Sequence, residues 1–311
     1  MPHFSIPSYS LELFWVLNPD PAQLVPTAKP ESLHTRPLNP ALPLLVFLHA
    51  AGSNVLGWTR QMNDSRLAGR FNFLLVDCPF HGFSRADPRP KHTLEDSANC
   101  VVELLDHLDV PPFVLYGEGV HGVNVASWTA IKRKEKVLGL LLASPGWRSE
   151  EPSVQQSLKD VETAMFVNKN GNGDGTGTLP EQAMEDITCY CIGGSQRMAQ
   201  QRKEMAAYFQ ERYGTGKPDF EMRFLFTFVW DRKPIPDDQL ASLTCPVLIL
   251  RGGDDNIVCP EEAVEEWRTA FANAKGGAST HVISSAPAIM SLTDGNIVSR
   301  VMGQFFSKCA A

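Results

Sequence analysis

Phe113-Val-Leu-Tyr-Gly-Glu-Gly-Val-His-Gly122 is the stretch on which the reading of this 311-residue chain turns. Four apolar residues run straight into glycines spaced Gly-x-Gly-x-x-Gly, and residues 123–134 then resume with helical spacing. That pattern is a buried strand turning sharply into a helix. The arrangement occurs twice upstream. Leu44-Leu-Val-Phe-Leu-His49 leads into Ala-Ala-Gly-Ser-Asn54, and Phe73-Leu-Leu-Val-Asp77 leads into Cys-Pro-Phe-His-Gly-Phe-Ser84. Residues 94–108 place Leu94, Ala98, Val101, Val102, Leu104, Leu105 and Leu108 on one helical face. Further on, 137–144, 246–250 and 281–285 read as strands, and 261–274 and 297–306 as helices. Near the start, residues 9–17 alternate as a strand does. Apolar strands alternating with helices predict an α/β fold, a mainly parallel sheet with helices on both faces.

Residues 149–240 break this rhythm. They are helix-rich and polar, and they are interrupted by Asn168-Lys-Asn-Gly-Asn-Gly-Asp-Gly-Thr-Gly-Thr178. An insertion of helices between two sheet strands reads as a lid over the strand ends, where ligands of such sheets bind. The expected organisation is therefore a core in two parts, 1–148 and 241–311, around a helical lid at 149–240.

Composition narrows the classes of function. The formal net charge of −7 leaves no basic footprint for nucleic acid. No apolar run reaches the ~18 residues needed to span a bilayer, and the first residues do not have the pattern of a signal peptide. Seven cysteines, at positions 78, 100, 189, 191, 245, 259 and 309, suit reduced thiols in a cytoplasmic protein better than a disulfide framework. Cys189 and Cys191 are too closely spaced for a zinc motif, and no metal is expected.

The order of these motifs resembles the α/β-hydrolase superfamily: strand–His-Ala-Ala-Gly-Ser, strand–Asp-x-x-x-His-Gly-x-Ser, strand–Gly-x-Gly-x-x-Gly–helix, lid, then Leu248-Ile-Leu-Arg-Gly-Gly-Asp-Asp255. The resemblance covers roughly 40–148 and 241–306. It implies that Gly117 to His121 is the nucleophile elbow, whose Gly-x-Ser-x-Gly turn presents the nucleophile at a helix N-terminus. Gly119 stands at the nucleophile position, and glycine adopts that backbone freely without supplying a reactive group. Asp255 falls at the acid position, with Asp254 as its neighbour. The histidine should follow the last strand, but Ser284-Ser-Ala-Pro-Ala-Ile-Met-Ser-Leu292 contains none. His281, the last of eight histidines, is expected at the beginning of that strand, away from its active end. The ordinary Ser-His-Asp mechanism is then unavailable. Oxyanion-type donors would be the N–H groups of Val120 and of Ala51 or Ala50.

Other residues offer no ready substitute. Ser127 lies too far along its helix, while Ser53 and Ser84 sit in loops at the active end without an evident base. His49, Asn54 and His81 should gather in the pocket, with the two histidines shaping their loops through hydrogen bonds. Glu118 and His121 flank Gly119 and are candidates for acid–base work. The plainer expectation is that Glu118 anchors the elbow and His121 faces outward.

Two motifs read as decoys. Gly117 to Gly122 matches a dinucleotide fingerprint, but the next strand ends Leu142-Ala-Ser-Pro145 without the required acid, so no cofactor is expected. Asn170-x-Asn-x-Asp-Gly-x5-Glu181 has the spacing of a calcium loop, but it starts with Asn and stands alone, which favours a plain Gly/Asn-rich loop.

The elbow's Gly-x-Gly-Val-x-Gly, Gly146-Trp147 and the histidine-free loop are similar to the Ndr (N-myc downstream-regulated) branch of the superfamily, which implies a non-enzymatic role. The expectation is a pseudo-hydrolase that binds a small apolar ligand or a protein partner. The alternatives are a non-covalent lyase, isomerase or cyclase, and a hydrolase with a relocated catalytic set.

Overall fold

The computed structural model describes residues 3–89, 91–166, 181–213, 219–255 and 257–309. Among these residues nine strands form one sheet: β1 (His3–Ile6), β2 (Leu11–Leu17), β3 (Leu44–Leu48), β4 (Asn72–Asp77), β5 (Arg85–Ala86), β6 (Phe113–Glu118), β7 (Val137–Ala143), β8 (Val247–Gly252) and β9 (Ser279–Ile283). The order is β1-β2-β4-β3-β6-β7-β8-β9, with β5 pairing β2. β1 and β2 are antiparallel, and every pairing from β4 through β9 is parallel. The expected mainly parallel α/β sheet is thus present. The sequence reading missed β1, β5 and a short helix, α1 (Thr59–Asn63), all of them too short to carry a period.

β3, β4 and β6 are buried along their whole length because helices cover both faces. On one face lie α2 (Leu94–His107) and α3 (Gly119–Lys132). The N-terminus of α2 is closed by a capping box. The Thr93 hydroxyl accepts from the Asp96 N–H at 3.1 Å, and the Asp96 carboxylate accepts from the Thr93 N–H at 2.8 Å. Its buried residues include Leu94, Ala98, Val101, Leu104 and Leu105, the face read from the sequence. α3 packs so closely on β3 that a Cβ on Gly122 would lie 2.7 Å from the His49 carbonyl oxygen. This approach positions the start of α3 beside the end of β3.

Between β7 and β8 come α4 (Pro152–Phe166), α5 (Glu181–Ile192), α6 (Ala199–Tyr213), α7 (Asp219–Trp230) and α8 (Asp237–Ala241). α9 (Glu261–Ala270) follows β8, and α10 (Met290–Thr293) and α11 (Gly295–Cys309) follow β9. α11 packs on the second face, where Val298, Met302 and Phe306 are fully buried. No described helix is long and apolar enough to cross a membrane, and the seven cysteines are free thiols. The ligand positions of the calcium-like motif from Asn170 to Asp174 lie outside the described residues.

Candidate functional site

β6 delivers Glu118 directly into α3, and the turn between them is the expected strand-to-helix elbow. Gly119 occupies it with φ +65°, in the left-handed region that glycine enters at little cost. The space around it is already filled, because a Cβ at this position would stand 2.8 Å from the Ala50 Cβ. Ala50 and Ala51 lie in the turn after β3, and Val120 lies in the first turn of α3.

Asp255 is buried at the end of β8, whereas its neighbour Asp254 is exposed. The Asp255 carboxylate Oδ1 accepts from the N–H groups of Val258 at 3.0 Å and Cys259 at 3.2 Å. Oδ2 has no partner of hydrogen-bond geometry among the described residues, though the Ser144 hydroxyl is close enough to favour the charged form. Burial nevertheless outweighs these contacts and raises the pKa above the ordinary aspartate value. The loop after β9 has no histidine and brings Ala288 beside the Asp255 loop. Ala288 packs with Val120, Val258 and, from α5, Tyr190. The loop is tied to the inserted helices by the Ile289 N–H, which donates to the Cys191 carbonyl at 2.9 Å. Beside it, Ile192, Phe209 and Leu225 of the inserted helices form an apolar cluster with Ala50 and Ile289. Apolar side chains therefore cover the elbow on both sides.

Glu118 is buried, and its carboxylate is fully engaged. Oε1 accepts from the Ser291 N–H at 2.9 Å and the Tyr116 hydroxyl at 3.2 Å, and Oε2 accepts from the Ser291 hydroxyl at 2.5 Å. These bonds favour the charged form, but burial dominates and lifts its pKa to about 7. The expectation that Glu118 anchors the elbow is met in a specific way: it anchors α10 to the elbow. Both of its oxygens are engaged in these bonds.

His121 departs from the sequence expectation. It does not face outward; it is 0% exposed. A first-turn residue can point either way, and here the inserted helices cover it. Its ring lies 4.4 Å from that of His81, 6.1 Å from that of His49 and 5.1 Å from that of Phe228 in α7. Neither ring nitrogen has a partner of hydrogen-bond geometry among the described residues, though the His49 backbone carbonyl is close enough to favour the charged form. His49 and His81 do shape their loops as expected. Carbonyl oxygens only accept, so His49 Nδ1 donates to Ala50 O and His81 Nδ1 to Pro79 O, each at 2.8 Å. The His49 Nε2 then accepts from the Cys78 N–H at 3.1 Å. Burial lowers His49 to about 4, His121 to about 3, and His81 well below the usual histidine value.

Of the remaining candidates, Asn54 and Ser84 have structural partners. Asn54 caps a short turn, accepting from the Leu56 N–H at 2.9 Å. Ser84 donates to the Asp77 carbonyl at 2.6 Å and accepts from the Phe14 N–H at 2.9 Å. Ser53 is only partly buried and Ser127 is buried within α3. His281 lies in the middle of β9 rather than at its beginning, because the strand starts two residues earlier, and it is exposed. Among the described residues, no cluster of three or more His, Cys, Asp or Glu side chains is arranged to hold a metal ion.

A cleft of ≈ 410 Å³ lies to one side of the elbow, between the start of α2, α3 and the end of α7. Trp128, Phe224 and Phe228 form its aromatic walls, with Lys91, Asp231 and Lys233 also lining it. Sequence reasoning missed this cleft. The only local signal was the spacing of Phe224 and Phe228, which places two rings on one helical face.

The model of the alpha/beta hydrolase family matches residues 45–287. No curated protein sequence matches the chain. Among solved structures, the chain is similar to an esterase from Thermogutta terrifontis, with a TM-score of 0.70, 19% identity, and coverage of 97% of this chain and 95% of that one. It is also similar to a hydrolase from Pseudomonas aeruginosa, with a TM-score of 0.72, 18% identity, and coverage of 98% and 97%. An enol-lactonase from Burkholderia xenovorans has a TM-score of 0.70, 16% identity, and coverage of 98% and 100%. At these identities the likeness concerns the fold.

Proposed function

The chain belongs to the alpha/beta hydrolase family, and from that premise we propose that it is a pseudo-hydrolase: a binding protein that keeps the family's framework without its acyl-enzyme chemistry. The observation that carries this reading is the state of the elbow. Gly119 has no side chain, Ala50 occupies the space one would need, and Ala288 packs in the loop that would supply a histidine. A nucleophile without a base within reach is not activated, and here the nucleophile itself is missing. The Ndr-like pattern of the elbow fits the same reading.

The ligand is a small apolar molecule, and the cleft beside α7 is its site. A volume of ≈ 410 Å³ is the size of ordinary small-molecule pockets, and aromatic walls with a few polar groups at the edge are their usual composition. The 149–240 segment acts as the lid that closes this site. The free thiols fit a reducing compartment such as the cytoplasm.

The test has two arms. A fluorophosphonate probe should leave the purified protein unlabelled, and short-chain aryl esters and lactones should not be turned over. A saturable covalent adduct on any serine would overturn the proposal in favour of a hydrolase with a relocated catalytic set, in line with the esterases and lactonases it resembles in fold. In the second arm, an apolar fluorescent probe should bind one-to-one, and Trp128→Ala should weaken it. Binding that is indifferent to Trp128 would place the site elsewhere.

A further inference from the structure

Four of the eight histidines in the chain gather around one helix of the insertion. His49 directly follows β3, His81 follows β4, His92 precedes α2, and His121 lies in the first turn of α3. None is more than 5% exposed. α7 lays two phenylalanines against three of them. The Phe228 ring is 5.1 Å from that of His121, 6.1 Å from that of His92, and 6.2 Å from that of His81, nearly parallel to it at 11°. Phe224 stacks on Phe80 at 4.2 Å and lies 6.1 Å from His92. Phe80 itself is held at φ +67°, a strained conformation for a bulky residue, in the turn between β4 and His81.

We propose that this histidine–phenylalanine seam is an acid-sensitive latch: protonation of His81, His92 and His121 at mildly acid pH releases α7 from the core while the sheet stays folded, opening the cleft that α7 walls.

The argument begins with solvation. A neutral imidazole packs against a benzene ring as an apolar plate, but an imidazolium buried in the same place gives up its hydration, and it is disfavoured there. The surrounding charges do little to rescue it. On the inserted helices, Arg212 of α6 pairs with Glu221 of α7 at 2.5 Å, and its positive charge further opposes protonation of His81. Elsewhere on α7, Arg223 faces Glu162 of α4, and just beyond α7 Arg232 pairs with Glu150 at 2.8 Å. On the core side, Asp77 stands 3.9 Å from His49 Nε2, behind the seam, and its two backbone donors hold it in place. Burial keeps the neighbouring Cys78 thiol protonated. At His92, Asp96 favours the proton and Arg89 opposes it, and burial outweighs both, giving a value of about 4.

The sign follows directly. A solvated imidazole binds its proton near pH ~6.5, whereas the docked rings bind theirs only well below that. Each histidine therefore stabilises the docked state above that pH and withdraws its contribution as pH falls. Going from about pH 7.5 to about pH 5.0 favours release by about thirtyfold for each histidine that becomes solvated, or about 3 × 10⁴-fold for all three. This inference does not depend on what the cleft binds.

Hydrogen exchange by mass spectrometry on the full chain tests it, with labelling times corrected for the intrinsic pH dependence. At about pH 5.0 peptides from 219–230 should lose protection while those from β6 and α3 keep it, reversibly on return to about pH 7.5. The double variant His81→Gln/His121→Leu should lose about a thousandfold of the acid response. Three results would overturn the latch: full protection of 219–230 at about pH 5.0, loss of protection in α7 and β6 together, or an unshifted response in the double variant. Should the double variant fail to fold, the comparison of α7 with β6 in the unaltered protein decides by itself.

Discussion

Glu118 and Ser291 are 173 positions apart in the sequence, yet they are joined by two hydrogen bonds, from the Ser291 N–H at 2.9 Å and the Ser291 hydroxyl at 2.5 Å. The link fastens α10 to the elbow and fixes the loop that carries Ala288. Because burial raises Glu118 to about 7, its folded value lies above its unfolded one. Its favourable contribution to stability is thus complete below the unfolded value and is lost as pH rises through the folded one.

Glu118→Gln should therefore gain on the unaltered protein as pH rises. The difference in unfolding free energy should grow by up to about 3 kcal/mol between about pH 4.5 and about pH 7.5. Urea titrations at several pH values measure it. A difference that stays flat across that range would show that Glu118 titrates as an ordinary carboxyl.

Gly119→Ser should destabilise the fold by about 2–4 kcal/mol, from the positive φ and the collision with Ala50. Ala50→Gly should recover part of that loss in a double-mutant cycle, since the two side chains compete for one space. Neither variant should react with a fluorophosphonate. Adding Ala288→His, which faces Val258 and the Asp255 loop, is the change expected to permit labelling. Labelling of Gly119→Ser alone would mean that another base already serves the elbow.

Asp255 is expected to act as a structural acceptor. Asp255→Asn keeps an oxygen for the Val258 and Cys259 N–H groups and should cost less than about 1 kcal/mol. Asp255→Ala leaves both donors unmet and should cost about 2–4 kcal/mol. Thermal unfolding of the two variants decides; equal losses would mean that charge, not hydrogen bonding, is what the position supplies.

The buried pair Arg232–Glu150 joins the start of the insertion to its end, with Arg232 also donating to the Trp147 carbonyl at 2.5 Å. Arg232→Met strands a buried carboxylate and should cost about 3–5 kcal/mol, while Arg232→Met/Glu150→Gln should be milder. If the double variant is the worse of the two, the carbonyl contacts of the guanidinium matter more than the pair.

Much of the fold was legible because it rests on local periods. The runs at 44–48, 73–76 and 113–116 are apolar throughout, as a strand buried on both faces requires, and each became a strand of the parallel sheet. α2 was legible from its apolar spacing. β1 was not, because four residues at a sheet edge have neither period nor full burial. At the candidate site, Asp255 was distinguishable from Asp254 only by burial, and His121 was misjudged because its direction depends on Phe228, a residue more than a hundred positions away.

The amino-acid sequence alone determined the alternation of strands and helices, the glycine at the elbow, and the lack of histidine in residues 284–292. These are facts of residue identity and short-range spacing. Tertiary structure alone decided that Ala50 fills the space beside Gly119, that Glu118 is spent on Ser291, and that four histidines are buried together with α7 against three of them. The physical reason is that backbone period is set by near neighbours, whereas desolvation, proton affinity and free volume are set by whichever distant atoms come to occupy the same space.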